Sequence, residues 1–230
     1  MGIAYNPGVV TDGLVLALDA GNTKSYPGIG TSWSDLSGNG SNGTLTNGPT
    51  YSSSNGGSIV FDGSDDYGSI SSVTPDTGDF TIGFIYQLTG STGRGGLFER
   101  KPSSPYNGFS LGQGGSNNWA FAISGTSDFN NRIVVDFDYP SLNTWYYDVA
   151  VYSNGNTVSA YRNGSFVSSD TGTSQGNLST QGARTDFLIA NRDLSTSLPV
   201  KVAQVQIYDR ALTASEIQQN FNALRGRFGI

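Results

Sequence analysis

Between Ile133 and Val167 the chain alternates apolar and polar residues and turns twice on Asn-Gly. Val135, Phe137 and Tyr139 alternate with Asp136 and Asp138, giving one face to a core and one to water. Tyr147, Val149 and Val151 share one face of the next run. Asn154-Gly155 follows, then Val158, Ala160 and Arg162, then Asn163-Gly164 and Phe166. Asn-Gly is the strongest short-range hairpin signal, because both residues tolerate the positive φ of a type I′ turn. A period of two broken by such turns predicts an antiparallel meander, with no helix between its strands.

The rest of the chain repeats this pattern. Met1 to Asp12 reads as a polar arm, and Leu14 to Leu18 as the first strand. A Gly/Ser/Asn-rich connection from Asn22 to Pro49 holds Trp33 and Leu36, which are expected to pin it to the core. Ser58–Phe61 and Tyr67–Ile70 flank the turn Asp62-Gly63-Ser64-Asp65-Asp66. Phe80–Leu88, Gly95–Glu99, Phe109–Leu111 and Trp119–Ile123 continue as strands. The ending differs. A last strand stops at Asp209-Arg210, and Thr213-Ala214-Ser215-Glu216 is a capping box, in which hydroxyl and carboxylate each satisfy a free N–H at a helix start. Ile217, Phe221 and Leu224 then mark one helical face. The prediction is a single all-β sandwich of two antiparallel sheets with one short C-terminal helix: arm 1–12, domain 13–224, tail 225–230.

Composition narrows the function. The chain has 230 residues, 36% of them hydrophobic, enough for a sizeable core. Only 13% are charged, and the net charge is −6. Without basic runs, neither nucleic acid nor an anionic membrane is an expected partner. LVLALDA is too short to span a bilayer. With no cysteine or histidine there is no disulfide, no ordinary zinc site, no thiol nucleophile and no imidazole base. The beginning, MGIAYNPGVVTDG, lacks a secretory pattern.

Several segments, in order, resemble the laminin-G-like group of concanavalin A-like jelly rolls. Phe61-Asp62-Gly63 with Asp66-Tyr67 is similar to the family's F-D-G-x-x-D-Y turn, and Phe80-Thr81-Ile82 to its next core strand. Asn107-Gly108-Phe109-Ser110-Leu111 resembles its GF-x-L strand. Trp145-Tyr146 with Val149-Ala150-Val151 resembles its W-Y-x-V-A strand, and Tyr161-Arg162-Asn163-Gly164 its Y-x-N-G hairpin. Ile207 to Leu212 is similar to its I-Y-N-R-A-L ending. The resemblance spans roughly Leu14 to Phe221 and implies a concanavalin A-like jelly roll.

It also implies three chemistries to weigh. Hydrolases of this fold carry Glu-x-Asp-x-x-Glu on one strand face, whereas this chain has only Glu99 and Glu216, and Asp136 with Asp138 reads best as a solvated face. The chain is therefore not expected to be an enzyme; a glycoside hydrolase is the weakest alternative. Many relatives bind calcium at rim loops, which implies a site at Asp62, Asp65 and Asp66, with Asp19 approaching from a neighbouring strand. Calcium is the only cofactor so implied, and Ala203-Gln204 stands where relatives often carry an Asp-Glu pair. Lectin sites pair an aromatic platform with amides and arginine. Candidates are Tyr106, Asn107, Asn117, Asn118, Trp119, Asn191 and Arg192 at strand ends, although Trp119 also fits a core strand in register with Phe121 and Ile123.

The tail offers Arg225, Arg227, Phe228 and Ile230, to dock onto the domain or onto a neighbouring subunit in assembly. The segments TDGLVLALDAGNTKSYPG, WSDLSGNGSNGTLTNGPTY and NFNALRGRFGI are similar to virion structural proteins of tailed phages, including those of marine bacteria and cyanobacteria. That resemblance implies a capsid decoration or tail fibre component on the virion surface, assembled in the host cytoplasm. Its expected partners are other virion proteins and cell-surface glycans, and a trimer is favoured. The alternative is a bacterial carbohydrate-binding module or extracellular lectin.

Overall fold

The computed structural model describes residues 8–71, 73, 78–91, 95–100, 108–115, 118–124, 132–173, 186–192, 194 and 196–230. In chain order the strands are β1 (Leu14–Asp19), β2 (Ser32–Trp33), β3 (Gly43–Thr46), β4 (Thr50–Ser52), β5 (Ser58–Phe61), β6 (Tyr67–Ser71), β7 (Phe80–Leu88), β8 (Gly95–Arg100) and β9 (Gly108–Gly115). They continue with β10 (Asn118–Ser124), β11 (Ile133–Phe137), β12 (Trp145–Ser153), β13 (Thr157–Arg162), β14 (Ser165–Thr171), β15 (Asp186–Ile189), β16 (Asn191–Arg192), β17 (Thr196–Ser197) and β18 (Val200–Tyr208). One helix, α1 (Ala214–Phe228), follows.

Sheet A has the order β14-β13-β12-β7-β18-β5-β4, with β1 also on β18, and sheet B the order β11-β10-β9-β8-β15-β6-β3-β2. Neighbouring strands run antiparallel, as in β12 with β7 and β18 with β7. The two antiparallel sheets and the helix match the jelly-roll sandwich that the sequence predicts. Among the described residues no helix is long and apolar enough to cross a membrane.

Alternation decides what each face buries. All nine residues of β7 are buried. Phe80, Ile82, Phe84, Tyr86 and Leu88 point into the core between the sheets. Ile85 points the other way, into a second core with Tyr147, Val149 and Val151 of β12 and Ile217, Phe221 and Leu224 of α1. Around β7 and β12 sheet A is thus apolar on both faces and needs the helix as a lid. Both Asn-Gly hairpins form with positive φ throughout: 56° and 71° at Asn154-Gly155, 51° and 79° at Asn163-Gly164.

Three local expectations are corrected. The helix does not stop at Leu224. Phe228 is the next i+4 position and is buried, so residues 225–228 are a last turn rather than a separate tail, closed by Gly229 at φ 71°. The arm is not free either: Val10 is buried and donates its N–H to Asn220 Oδ1 at 2.7 Å. In the long connection Trp33 is buried as expected, but Leu36 is exposed. Asp35 does the pinning instead, accepting the backbone N–H groups of Ala17, Ser37 and Ser41.

Candidate functional site: the outer face of sheet B

The helix covers the outer face of sheet A over β7 and β12, whereas among the described residues no helix covers sheet B. Inward-facing Phe109, Leu111, Trp119, Phe121, Ile133 and Val135 fill the core. Their neighbours therefore face outward, and the register aligns them in rows. Glu99 pairs with Ser110, Ser110 with Ala122, and Ala122 with Val134. In the next row Gly96 pairs with Gly112, Gly112 with Ala120, and Ala120 with Asp136. This floor is built of small side chains. At one border Asn118 Nδ2 donates to Asp136 Oδ1 at 2.8 Å, both residues exposed.

The other border is acceptor-rich. Glu99 is buried on β8, and Asn191 is buried on β16, which packs against β8. A β-carbon placed on Gly96 would sit 2.8 Å from the Asn191 carbonyl oxygen and 3.2 Å from Glu99 Oε2, so two acceptors converge over this glycine. Asn191 Nδ2 donates to Ser197 Oγ at 2.9 Å. Its Oδ1 has no hydrogen-bond partner among the described residues. A buried amide oxygen without a donor is costly unless a ligand or water supplies one.

Of the lectin-type candidates, the structure brings Asn118 and Asn191 to this face. It corrects Trp119, which is 0% exposed and cannot be a platform. Its indole stacks on Tyr86 at 5.4 Å, and its Nε1–H donates to Asp148 Oδ2 at 3.2 Å. Tyr106, Asn107 and Asn117 lie outside the described residues, as does the side chain of Arg192.

The Trp119 contact belongs to a buried network that motif reading passed over. Asp148 is fully buried and accepts from Tyr86 Oη at 2.6 Å, and from Arg162 Nε and Nη2, each at 2.7 Å. Arg162 also lies over the Tyr146 ring at 4.6 Å. Burial, together with the Asp148 charge, drives the Tyr86 hydroxyl well above its ordinary pKa. One signal was available: Asp148 is a lone carboxylate in the apolar run Tyr146 to Tyr152.

The acidic turn between β5 and β6 is real. The carboxylates of Asp62, Asp65 and Asp66 lie within 4.8 Å of one another. Burial, and then repulsion from Asp62 and Asp65, raises the Asp66 pKa, although the Asp62 N–H donates to Asp66 Oδ2. Hard oxygens at this spacing fit calcium, which would neutralise that repulsion. Asp19 does not join them, which corrects that expectation. It is held by Arg227 and by Gln204 Nε2 at 2.8 Å, so the glutamine that replaces a family acid is a donor to Asp19.

Three of the four assembly candidates, Arg227, Phe228 and Ile230, make their contacts within the domain. Phe228 is buried against Trp145 at 5.0 Å, and Ile230 packs on the second core. Arg227 is bound to Asp19, and Arg225 is exposed, lying 5.8 Å from the Phe221 ring. As for hydrolysis, Glu99 and Asp136 are three strands apart, roughly 14 Å at the usual strand spacing. Paired glycosidase carboxylates need about 5–10 Å.

A family model described as the concanavalin A-like lectin/glucanases superfamily matches residues 62–218. No curated protein matches the chain. Among solved structures, the binding domain of botulinum neurotoxin DC in complex with rat synaptotagmin II is similar at TM-score 0.69 and 14% identity, covering 94% of this chain and 52% of that one. The same domain in complex with SialylT aligns at TM-score 0.70 and 14% identity, covering 93% and 52%. The binding domain of Paraclostridial Mosquitocidal Protein 1 aligns at TM-score 0.70 and 17% identity, covering 93% and 52%. The chain spans about half the length of these structures.

Proposed function

Because this chain belongs to the concanavalin A-like lectin/glucanases superfamily, we propose that it is a non-enzymatic adhesion domain that binds cell-surface glycans on the outer face of sheet B. The carrying observation is Asn191 at the border of this small-residue floor, whose side-chain Oδ1 has no hydrogen-bond partner among the described residues. A sugar hydroxyl is a donor that suits this amide oxygen, and a floor of small residues admits a ring edge. The similar structures are binding domains, one of them solved in complex with SialylT, which supports adhesion as the mode of action.

The setting we infer is a virion surface, as a capsid decoration or tail fibre component carried by other virion proteins. The similarity of the segments around Thr11, Trp33 and Asn220 to tailed-phage structural proteins supports it. Two experiments test the proposal. On a glycan array, the intact chain should bind and Asn191→Ala should bind at least tenfold more weakly; equal binding by both would remove this site. Immunogold electron microscopy of native particles should label the capsid or tail, and an unlabelled particle would leave the free extracellular lectin as the better reading.

A further inference from the structure

The geometry points to a second carbohydrate site, for a neutral sugar, at the aromatic corner formed by Tyr161 and Phe166 on the opposite sheet. It rests on the reading that this domain binds glycans, but uses none of the residues of sheet B. Among the described residues Phe166 is the one exposed aromatic ring, 58% exposed. Tyr161 is half-buried and stands against it, with ring centres 5.6 Å apart and planes at 77°. One ring thus offers a floor and the other a wall, the shape that receives the apolar face of a pyranose.

The corner continues into a ledge of hydroxyls. Val158 and Ala160 of β13 point into the core, so Thr157, Ser159 and Tyr161 face the other way. Across from them the register places Thr171, Ser169 and Phe166 of β14. None of the six is charged, and Thr157 Oγ1 lies 3.1 Å from Thr171 Oγ1. The ledge runs from Thr157 to Tyr161 along β13, four residue steps or about 13 Å, which suits a short neutral oligosaccharide: rings on the aromatic end, hydroxyls along the rest.

The corner is also held before any ligand arrives. Asn163, in the turn joining β13 to β14, accepts the Tyr147 N–H at Oδ1, 2.9 Å, and donates its own N–H to the Tyr147 carbonyl at 2.8 Å. A β-carbon on Gly164 would meet Gln218 at 2.9 Å and Phe221 at 3.0 Å, so the turn is pressed onto α1. Exposing an apolar ring on a fixed hairpin costs stability that a ligand can return.

Size separates a sugar from a protein partner. One aromatic ring and Val167, 37% exposed, are far less than the roughly 800 Å² per side of a stable protein interface. Strand addition by a second copy is also disfavoured: β14 carries a register shift opposite Ala160/Tyr161, and a bulge of that kind twists an edge away from pairing.

The test uses the full chain with its phenylalanine rings labelled for NMR, titrated with neutral oligosaccharides of β-linked glucose, N-acetylglucosamine and mannose. Asn191→Ala should leave one glycan-binding event that shifts the Phe166 resonances. Adding Phe166→Ala should weaken that event about tenfold or more, the weight of one aromatic contact, while Phe166→Trp keeps it. If Asn191→Ala alone abolishes all binding, the corner is not a site and the sheet B reading stands. If Phe166→Ala abolishes all binding and Asn191→Ala changes nothing, the corner stands and the sheet B placement falls. If the intact chain binds none of these sugars and nothing on an array, both fall. A concentration-dependent dimer lost in Phe166→Ala would overturn the corner in favour of a second copy.

Discussion

Arg227 and Asp19, 208 residues apart in sequence, meet in a two-pronged ion pair: Nη1 to Oδ2 at 2.8 Å and Nη2 to Oδ1 at 2.7 Å. The guanidinium also donates to the Gly56 carbonyl at 2.8 Å. Gly21 and Gly56 line its slot, where a β-carbon on Gly21 would fall 2.1 Å from Nη2 and one on Gly56 2.5 Å from Nε. The last helical turn is thereby clasped to the first strand.

Gly21→Ala should be the most damaging small substitution in this clasp. Its methyl would lie 1.6 Å from the Gly56 carbonyl oxygen, so backbone must move. A loss of about 2–4 kcal/mol is expected in urea unfolding. Arg227→Ala, which removes a partly exposed pair, should cost only about 1–2 kcal/mol.

Breaking the buried pair on one side should cost more. Arg162→Met leaves the fully buried Asp148 without its cation, and about 3–5 kcal/mol of stability should go. The double variant Arg162→Met/Asp148→Leu should recover part of that loss. A double variant no more stable than the single one would show that the charge itself is not what costs.

Alkaline unfolding should follow the buried tyrosines. Burial first, with Asp148 second, raises Tyr86; burial, with Tyr208 second, raises Tyr147; and burial pushes Tyr208 up to about 12. A group whose folded pKa is raised contributes its stability in full below the unfolded value, near 10, and loses it as pH rises toward the folded value. Thermal stability should therefore fall from about pH 10 upward. The tyrosinate absorbance of Tyr86, Tyr147 and Tyr208, read as the part lost in their Phe variants, should appear together with the loss of near-ultraviolet circular dichroism, not before it.

The acidic turn behaves oppositely to an ordinary stabilising carboxylate. Asp66 is raised in the fold, so its charged form opposes folding above its unfolded pKa and the penalty shrinks as pH falls. Asp66→Asn should raise the melting temperature in chelator. Millimolar calcium should stabilise the natural chain and not this variant; stabilisation of both alike would separate calcium from this turn.

Asn220 is a keystone for the arm. It is fully buried, accepts the Val10 N–H at 2.7 Å and donates to Tyr208 Oη at 3.0 Å. Asn220→Leu should cost about 2 kcal/mol by stranding both partners, and limited proteolysis should then cut near residues 8–12 before the domain unfolds.

What the sequence made legible was local. The Asn154-Gly155 turn and the Thr213–Glu216 capping box are decided by residues within four positions of each other, and both form as read. The helix runs one turn past the Ile217, Phe221 and Leu224 face, and the i+4 spacing from Leu224 to Phe228 is the local signal for it. Trp119 is ambiguous in sequence because a Gly/Ser/Asn stretch precedes it and an apolar run follows it. Its burial is settled by Asp148 on the other sheet, a partner no window around 119 contains. Asp19 was misplaced for the same reason, since Arg227 and Gln204 come from the far end of the chain. The meeting of Glu99 and Asn191 over Gly96 depends on how β16 crosses β8, and β16 is only two residues long.

The strict alternation along β10 separates two kinds of selection. Trp119, Phe121 and Ile123 are committed to the interior, while Asn118 and Ala122 touch no part of it. With Ser110, Val134 and Asp136 beside them, these positions can be rewritten in a combinatorial library without replacing a core residue. New binding specificities should therefore be reachable by mutation at little cost to solubility or yield, which makes this sandwich a practical scaffold for engineered recognition.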